Sequence, residues 1–468
     1  MKVPVEHKGL VESIQSLVDA TVAAAESSRG GRAVDYAETE REIAEQTAAV
    51  ERAAHAEVLR ALDVDAPRVR VRGVFFNRIG RAPCAYSTMA GDAVVERTVY
   101  REAGVRNGPI LDPIAVRTGA YGRRWLPMTA QCMANDVQRG PSREAKDAAR
   151  QGGRFPYSRA SFERVAHLVG QHWLREHADI EDLLVRGFDM PVEAAAMSVA
   201  LDRVSVPMEE PAARRAGRPR KDAPKRPVER NFRMAYCATI TLHNGAGESL
   251  HTIRYGCMPE SDVDVWLAEI ANEAHHLLQQ RPGLRVKLLS DGAHEMCNLL
   301  HRHFPSGVFG KVEQGIDFWH VIEKLAPAAE VVFGADRAKS ELRRWRVRLR
   351  LANTAAEEIL TELRESGRES TLRDSKRPVH EAITYFENHK ERMTFARSLR
   401  LGLPIGSGNV EATCKTLVAV RMKRAGSRWK HQTGEHVLRL RALALSDKWD
   451  RAMHELHATR RTAVKVAA

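Results

Sequence analysis

The stretch from Met197 to Phe318 leaves few folds open, because three strand-like runs are followed by one amphipathic helix and a further strand. Met197 to Val206, Phe232 to Leu242 and Leu250 to Tyr255 alternate or run apolar, with Asn244 and Gly245 as the turn between the last two. From Ser261 to Leu278, Val263, Trp266, Leu267, Ile270 and Leu277 fall on one helical face. Arg281-Pro282-Gly283 then breaks the pattern, and Leu284 to Asp291 reads as a strand that ends on an acid. Two carboxylates stand out against this frame. Asp202 interrupts an apolar run, where an ionised group is costly unless a positive charge offsets it. Asp291 lies where its strand ends, in Ser290-Asp291-Gly292, which is also turn chemistry.

A third acid comes from far downstream. Leu403-Pro404-Ile405-Gly406-Ser407-Gly408-Asn409-Val410-Glu411 sets Glu411 in the first turn of a helix that Ser407 or Asn409 can cap. Lys415 follows one turn later, and Arg421, Lys423, Arg424 and Arg428 lead to Trp429. Basic residues interleaved with an aromatic are what a groove for a DNA backbone needs. Three carboxylates from distant segments suit metal-dependent phosphoryl transfer. Hard oxygen ligands without a Cys or His cluster favour two Mg²⁺ (or Mn²⁺) ions over zinc. Three strands, a helix and a fourth strand in this order are the ribonuclease H topology, whose acids come from the first and fourth strands.

Composition agrees. The 468 residues exceed one compact core, and 73 Lys and Arg against 60 Asp and Glu give a formal charge of +13, which favours a polyanionic partner. No apolar run approaches the ~20 residues that span a bilayer, so no membrane partner is expected. The N-terminal residues lack the apolar core of a secretory signal, and a cytoplasmic location follows as an expectation. Six cysteines are scattered without C-x-x-C spacing, against a disulfide framework or a self-contained zinc ribbon.

Upstream, Leu10 to Leu62 has helical spacing suited to a hairpin or a dimerising arm. Val69 to Arg101 alternates as a small antiparallel sheet, with turns expected at Gly80 and Gly91. Thr129 to Arg186 is helical again and can be a helix-turn-helix or a plain bundle. Between the first two core strands, Arg214 to Lys221 approaches an AT-hook, in which Arg218, Arg220 and Lys221 would enter a narrow minor groove; the alternative is a basic linker.

Taken together, Leu289-Ser290-Asp291-Gly292-Ala293-His294, His303-Phe304-Pro305, Ile316 to Leu325, Leu403 to Ala412 and Arg421 to Trp429 resemble the ISKra family of bacterial insertion-sequence transposases, relatives of the Mutator-like group. The resemblance covers about the C-terminal half, in the same order and spacing. It implies an α/β ribonuclease H-like catalytic core with a helical insertion, which the helical and small α+β N-terminal regions read from periodicity would precede. The corresponding boundaries are an N-terminal helical region at 1–65, a β-rich region at 66–128 and a helical region, a candidate for DNA binding, at 129–195. The first part of the core is 196–324 with a basic loop at 207–230, the insertion is 325–401, and the last core helices with a basic C-terminal region are 402–468.

The same resemblance makes Asp202, Asp291 and Glu411 the catalytic and metal-binding acids, although this chain has Arg203 where relatives carry Asp-Gly. Asp317 and His320 match a D-x-x-H signature that supports the site. The cysteine-rich zinc segment usual upstream is reduced to Cys84. The implied activity is DNA strand cleavage and strand transfer at the ends of an insertion sequence. The partners are double-stranded DNA, both element ends and target, and a second copy of the chain, since synapsis joins two ends. A ribonuclease H-like nuclease without strand joining, or a repurposed DNA-binding protein without catalysis, remains open at the level of sequence.

Overall fold

The computed structural model describes residues 7–31, 33–211, 228–366 and 377–467. The chain is mixed α/β and divides into two units, Met1–Ile180 with Trp449–Ala468, and Glu181–Lys448. Among the described residues no helix is long and apolar enough to cross a membrane.

In the first unit, α1 (Lys8–Ser27) packs on α2 (Tyr36–Ala61) as a hairpin, one of the two arrangements its spacing allows. Strands β1 (Arg68–Val71), β2 (Val74–Thr88), β3 (Gly91–Glu102) and β4 (Ile110–Leu111) follow, then α3 (Pro113–Thr118), α4 (Pro127–Arg139), α5 (Ser142–Gln151) and the long α6 (Arg159–Arg186). Gly80 is not a turn. It sits inside β2, where the register against β3 slips by one residue, and its φ of 151° accommodates the bulge. The reversal expected there falls instead at Arg72-Gly73, both with positive φ, as a tight hairpin requires.

The second unit begins with β5 (Ala196–Pro211), β6 (Val228–His243), β7 (Ser249–Cys257), α7 (Val263–Gln280), β8 (Arg285–Ser290), α8 (His294–His303), α9 (Ser306–Phe309) and β9 (Val312–Ile316). The sheet order is β7-β6-β5-β8-β9. The first three strands are antiparallel, and β8 and β9 run parallel to β5. Alternation along β5 divides its two faces. Met197, Val199 and Leu201 join Trp266, Ile270 and Leu277 of α7 in one core, while Ala200, Val206 and Met208 face the opposite side. The α7 helix forms where predicted, and Asp262 caps it by accepting from the N–H groups of Asp264 and Val265, each at 3.1 Å.

The helical insertion comprises α10 (Phe318–Phe333), α11 (Ala335–Leu351), α12 (Ala355–Glu365), α13 (Pro378–His389) and α14 (Phe395–Arg400), with their own core around Trp345, Ile359, Leu363 and Phe386. The chain then returns to the sheet in α15 (Gly408–Thr413), which continues through a π-helical stretch, Cys414–Ala419, into α16 (Val420–Met422). Val410, Cys414, Leu417 and Val418 cover the Ala200 and Leu289 face of the sheet, joined by Leu438 of α17 (His431–Leu445).

Boundaries differ from the sequence reading: the first unit ends at Ile180 rather than at 195, the first insertion helix begins at Phe318 rather than at 325, and the C-terminus leaves the second unit. The last helix, α18 (Trp449–Arg460), and strand β10 (Lys465–Val466) belong to the first unit, where β10 pairs with β1 and completes an antiparallel sheet of order β10-β1-β2-β3-β4. Only two residues form β10, too few to show alternation, so nothing in the sequence marked this return.

The loop before α15 is held by backbone contact. Gly402 has φ 62°, and a Cβ there would lie 2.1 Å from the carbonyl oxygen of Gly245. Gly402→Ala therefore meets both left-handed strain and a collision with main chain, and is expected to destabilise by more than about 1 kcal/mol in urea unfolding. Wild-type stability in that variant would show that the approach is not tight.

Candidate active site

Register places the sequence-predicted acids. Ala200 of β5 pairs with Leu289 of β8, and two residues further along each parallel strand stand Asp202 and Asp291, on the same face as their pairing predecessors. Ser290 pairs with Ile316 of β9, and the Asp317 N–H donates to the Ser290 carbonyl at 2.8 Å, so Asp317 occupies the next position on the third parallel strand. Asp291 and Asp317 thus stand at the C-terminal ends of β8 and β9, level with Asp202, which lies within β5.

Glu411 approaches from above. The Cys414 thiol, one turn beyond Glu411, lies 3.5 Å from Asp202 Oδ2. His320 Nδ1 lies 3.8 Å from Glu411 Oε1 and 3.3 Å from Asp317 Oδ1. Ligand atoms of Asp317, His320 and Glu411 all lie within 4.8 Å of one another. His320 Nδ1 is buried and makes no well-aligned hydrogen bond. It is close enough to both carboxylates for charge pairing all the same.

Asp317 is fully buried, and its carboxylate is shared among three segments. Oδ1 accepts from the His320 N–H at 2.9 Å and caps α10, while Oδ2 accepts from the Ser407 backbone N–H and, at 2.8 Å, from the Ser407 hydroxyl. Burial alone would push this acid up. The His320 side chain and the Ser407 and His320 donors outweigh it and bring Asp317 down to about 2. The Asp317 carboxylate in turn raises His320 to about 9 against the opposing effect of burial, with further help from Glu323 and Glu411. Ser407, read from sequence as a helix cap, makes no side-chain cap to α15; its hydroxyl, 3.5 Å from Glu411 Oε1, gives its one proton to the nearer Asp317.

Asp202 does not pair with the Arg203 guanidinium. Arg203 points to the opposite face and meets Glu295 at 2.5 Å, leaving only its backbone N–H to Asp202 Oδ1 at 2.7 Å. Asp291 Oδ1 accepts from the Ala293 N–H at 2.8 Å, which fixes the turn after β8. Among the described residues, neither Asp202 nor Asp291 has a Lys or Arg within ion-pairing distance, and Glu411 meets only His320. Among the described residues, the ligand atoms of Asp202, Asp291 and Glu411 do not form a cluster within 4.8 Å as those of Asp317, His320 and Glu411 do. Asp202 and Asp291 are nonetheless oxygen donors without a Lys or Arg countercharge, as a hard divalent cation requires. Asp202, Asp291 and Glu411 are the residues that could hold it. Asp317, whose oxygens are already engaged, is a positioning group.

Two side chains that the sequence did not single out come from the insertion. The Tyr385 hydroxyl donates to the Asp291 carbonyl at 2.9 Å, and a Cβ on Gly292 would meet that hydroxyl at 2.9 Å and His389 Nε2 at 3.4 Å. Their helix gives no local signal, because the approach is purely tertiary. The π-helical stretch immediately after Glu411 is likewise invisible in composition, and such bulges concentrate at functional sites.

The residues proposed for DNA contact separate into four groups. Lys415 and Arg428 are exposed, and Lys423, also exposed, reaches Ser205 Oγ at 3.3 Å. Arg424 is half-buried and donates to the Val420 carbonyl. Arg421 and Trp429 are spent on packing: Arg421 is 6% exposed with its guanidinium 4.8 Å from the Trp429 ring centroid. The indole N–H donates to the Met422 carbonyl at 3.1 Å, and Trp429 main chain pairs with Pro207 and Glu209 beside β5. Arg218, Arg220 and Lys221 lie outside the described residues.

Comparison with protein-family models, with curated proteins and with solved structures gives no match for this chain.

The Asp317–His320 pair sets a pH window. His320, raised from 6.5 to about 9, contributes stability fully below pH 6.5 and loses it as pH rises through 9. Asp317, lowered from 3.8 to about 2, contributes fully above pH 3.8 and loses it as pH falls through 2. The stability margin of wild type over Asp317→Asn should therefore be flat between these limits and narrow above pH 6.5. Urea unfolding across pH, with NMR titration of His320, checks this; a His320 titration near 6.5 in metal-free wild type would contradict it.

Proposed function

We propose that this protein is a DNA transposase with a ribonuclease H-like core, which cuts at the ends of an insertion sequence and joins the freed ends to target DNA. The strand order β7-β6-β5-β8-β9, with an antiparallel triplet followed by two parallel strands, supports that core. The reading is carried by the alignment of Asp202 and Asp291 through the Ala200–Leu289 register, with Cys414, one turn beyond Glu411, 3.5 Å from Asp202 Oδ2. Sequence blocks resembling the ISKra family fall on the end of β8, on α10 and on the helix of Glu411 with the segment after it.

The chain's residues divide the work. Asp202, on the rigid central strand, keeps Oδ2 free of any strong donor; Asp291 is oriented through its own turn. Glu411 is the exposed arm, aimed by the His320 imidazole, which Asp317 keeps protonated and in place. Two Mg²⁺ or Mn²⁺ ions, when bound by these three carboxylates, supply the positive charge that activates a water or a DNA 3′-hydroxyl and offsets charge on the phosphate under attack. Cleavage and joining are the same in-line substitution with different nucleophiles, so one set of carboxylates serves both. Lys415, Lys423 and Arg428 follow Glu411 along the chain and are exposed, with Lys423 Nζ 3.3 Å from Ser205 Oγ of β5, and they would hold the DNA backbone. Two copies of the chain would pair two ends, acting on DNA in the bacterial cytoplasm.

A strand-transfer assay with a pre-cleaved element end tests the reading. Joining in Mg²⁺ is expected, and Asp202→Asn, Asp291→Asn or Glu411→Gln should each cost on the order of 10²–10³-fold or more. A double variant should lose little beyond a single one, because the acids act as a unit. Cutting without joining would indicate a nuclease, and binding without either a regulator that has lost the chemistry.

A further inference from the structure

The first unit holds a cleft of about 560 Å³ whose walls come from four separate segments. Arg72 enters from the β1–β2 turn, Arg123 from the loop before α4, His172, Arg175 and Glu176 from α6, and Arg460 from the end of α18. Four guanidinium groups therefore face one carboxylate. None of the four arginines has a carboxylate within ion-pairing distance among the described residues.

The cleft is built rather than incidental. Arg460 is half-buried and fixed, donating through Nε to the Gly119 carbonyl at 2.8 Å and through Nη2 to the Ala120 carbonyl at 2.7 Å, with its guanidinium 4.2 Å from the Tyr121 ring centroid. Arg175 Nη2 lies 3.3 Å from His172 Nδ1, and since guanidinium only donates, Nδ1 must accept. His172 is then the neutral tautomer with its proton on Nε2, directed at Thr459 Oγ1 at 3.1 Å. Burial and the nearby Arg460 and Arg175 lower His172 to about 4, which agrees with that assignment. Arg123 adopts left-handed backbone, with φ of 70°, a conformation that costs a non-glycine residue on the order of 1 kcal/mol, while the positive φ of Arg72 belongs to the β1–β2 hairpin. Arg123 has no hydrogen-bond or ion-pair partner among the described residues.

We infer that this cleft seats backbone phosphates of duplex DNA, making it the contact by which the first unit grips an element end. Arg72, Arg123 and Arg175 are exposed and arrive on three different segments, an arrangement that suits an extended polyanion lying across the opening. A small free anion would be expected among enclosed donors, and only Arg460 is partly enclosed. Guanidinium pairs match phosphate geometry bidentately, but they carry no base information, so this grip is independent of sequence. The inference rests on the DNA-binding reading of the whole protein, and the experiment separates the two.

Duplex binding by the full chain, measured against salt concentration with a fixed oligonucleotide and with a scrambled one, is the test. Arg123→Asn with Arg175→Gln should weaken both duplexes equally and lower the slope of log affinity against log salt by about 2. Glu176→Gln, which removes the one opposing charge, should tighten both, a gain that loss of folding cannot produce. Wild-type affinity and slope in the double arginine variant, while wild type binds DNA well, would overturn the cleft and leave the transposase reading standing. Loss of inorganic pyrophosphate binding with unchanged DNA binding would assign the cleft to a free anion and equally overturn it. Failure of wild-type protein to bind duplex DNA at all would remove the functional reading itself.

Discussion

A buried carboxylate stays ionised only if the fold surrounds it with donors, and Asp317 is the place where this chain meets that demand. It lies at the end of β9, caps α10 through the His320 N–H, and takes two donors from Ser407 in the loop leading to α15. These contacts join the last parallel strand, the first helix of the insertion and the approach to Glu411. The charge that makes Asp317 costly to bury is also what holds His320 protonated beside Glu411. Removing that carboxylate would leave Ser407 without its partner and the arm carrying Glu411 without its anchor.

From this anchor the rest of the site follows by strand geometry. Parallel pairing of β5, β8 and β9 aligns Asp202, Asp291 and Asp317 at one level, and period-2 alternation turns the first two toward the helix that carries Glu411. Arg203, one residue away from Asp202, is sent to the other face and to Glu295. The same alternation that makes one side of the sheet an apolar core with α7 leaves the other side for α15 and its π-helical continuation.

The strands of the second unit and α7 were legible because alternation and amphipathic spacing are local properties, and the end of β8 at an acid was visible in Leu289-Ser290-Asp291. Asp202 announced itself by breaking an apolar run. What the sequence hid was everything set by tertiary approach. Tyr385 and His389 reach Gly292 from an insertion helix some ninety residues on, Trp429 turns from an apparent DNA-facing aromatic into a packed extension beside β5, and the chain's last strand crosses back to β1. Gly80 misled for a different reason: a glycine inside an alternating run serves a bulge as well as a turn.

The central claim is that Asp202, Asp291 and Glu411 form one cation site. Manganese-soaked crystals examined by anomalous scattering test it most directly, since the ion is located without reference to activity. Manganese is expected bonded to carboxylate oxygens of both Asp202 and Asp291, with Glu411 completing the site, at oxygen distances of roughly 2.0–2.3 Å. Manganese bound elsewhere, with Asp202 and Asp291 unligated at saturating ion concentration, would contradict it.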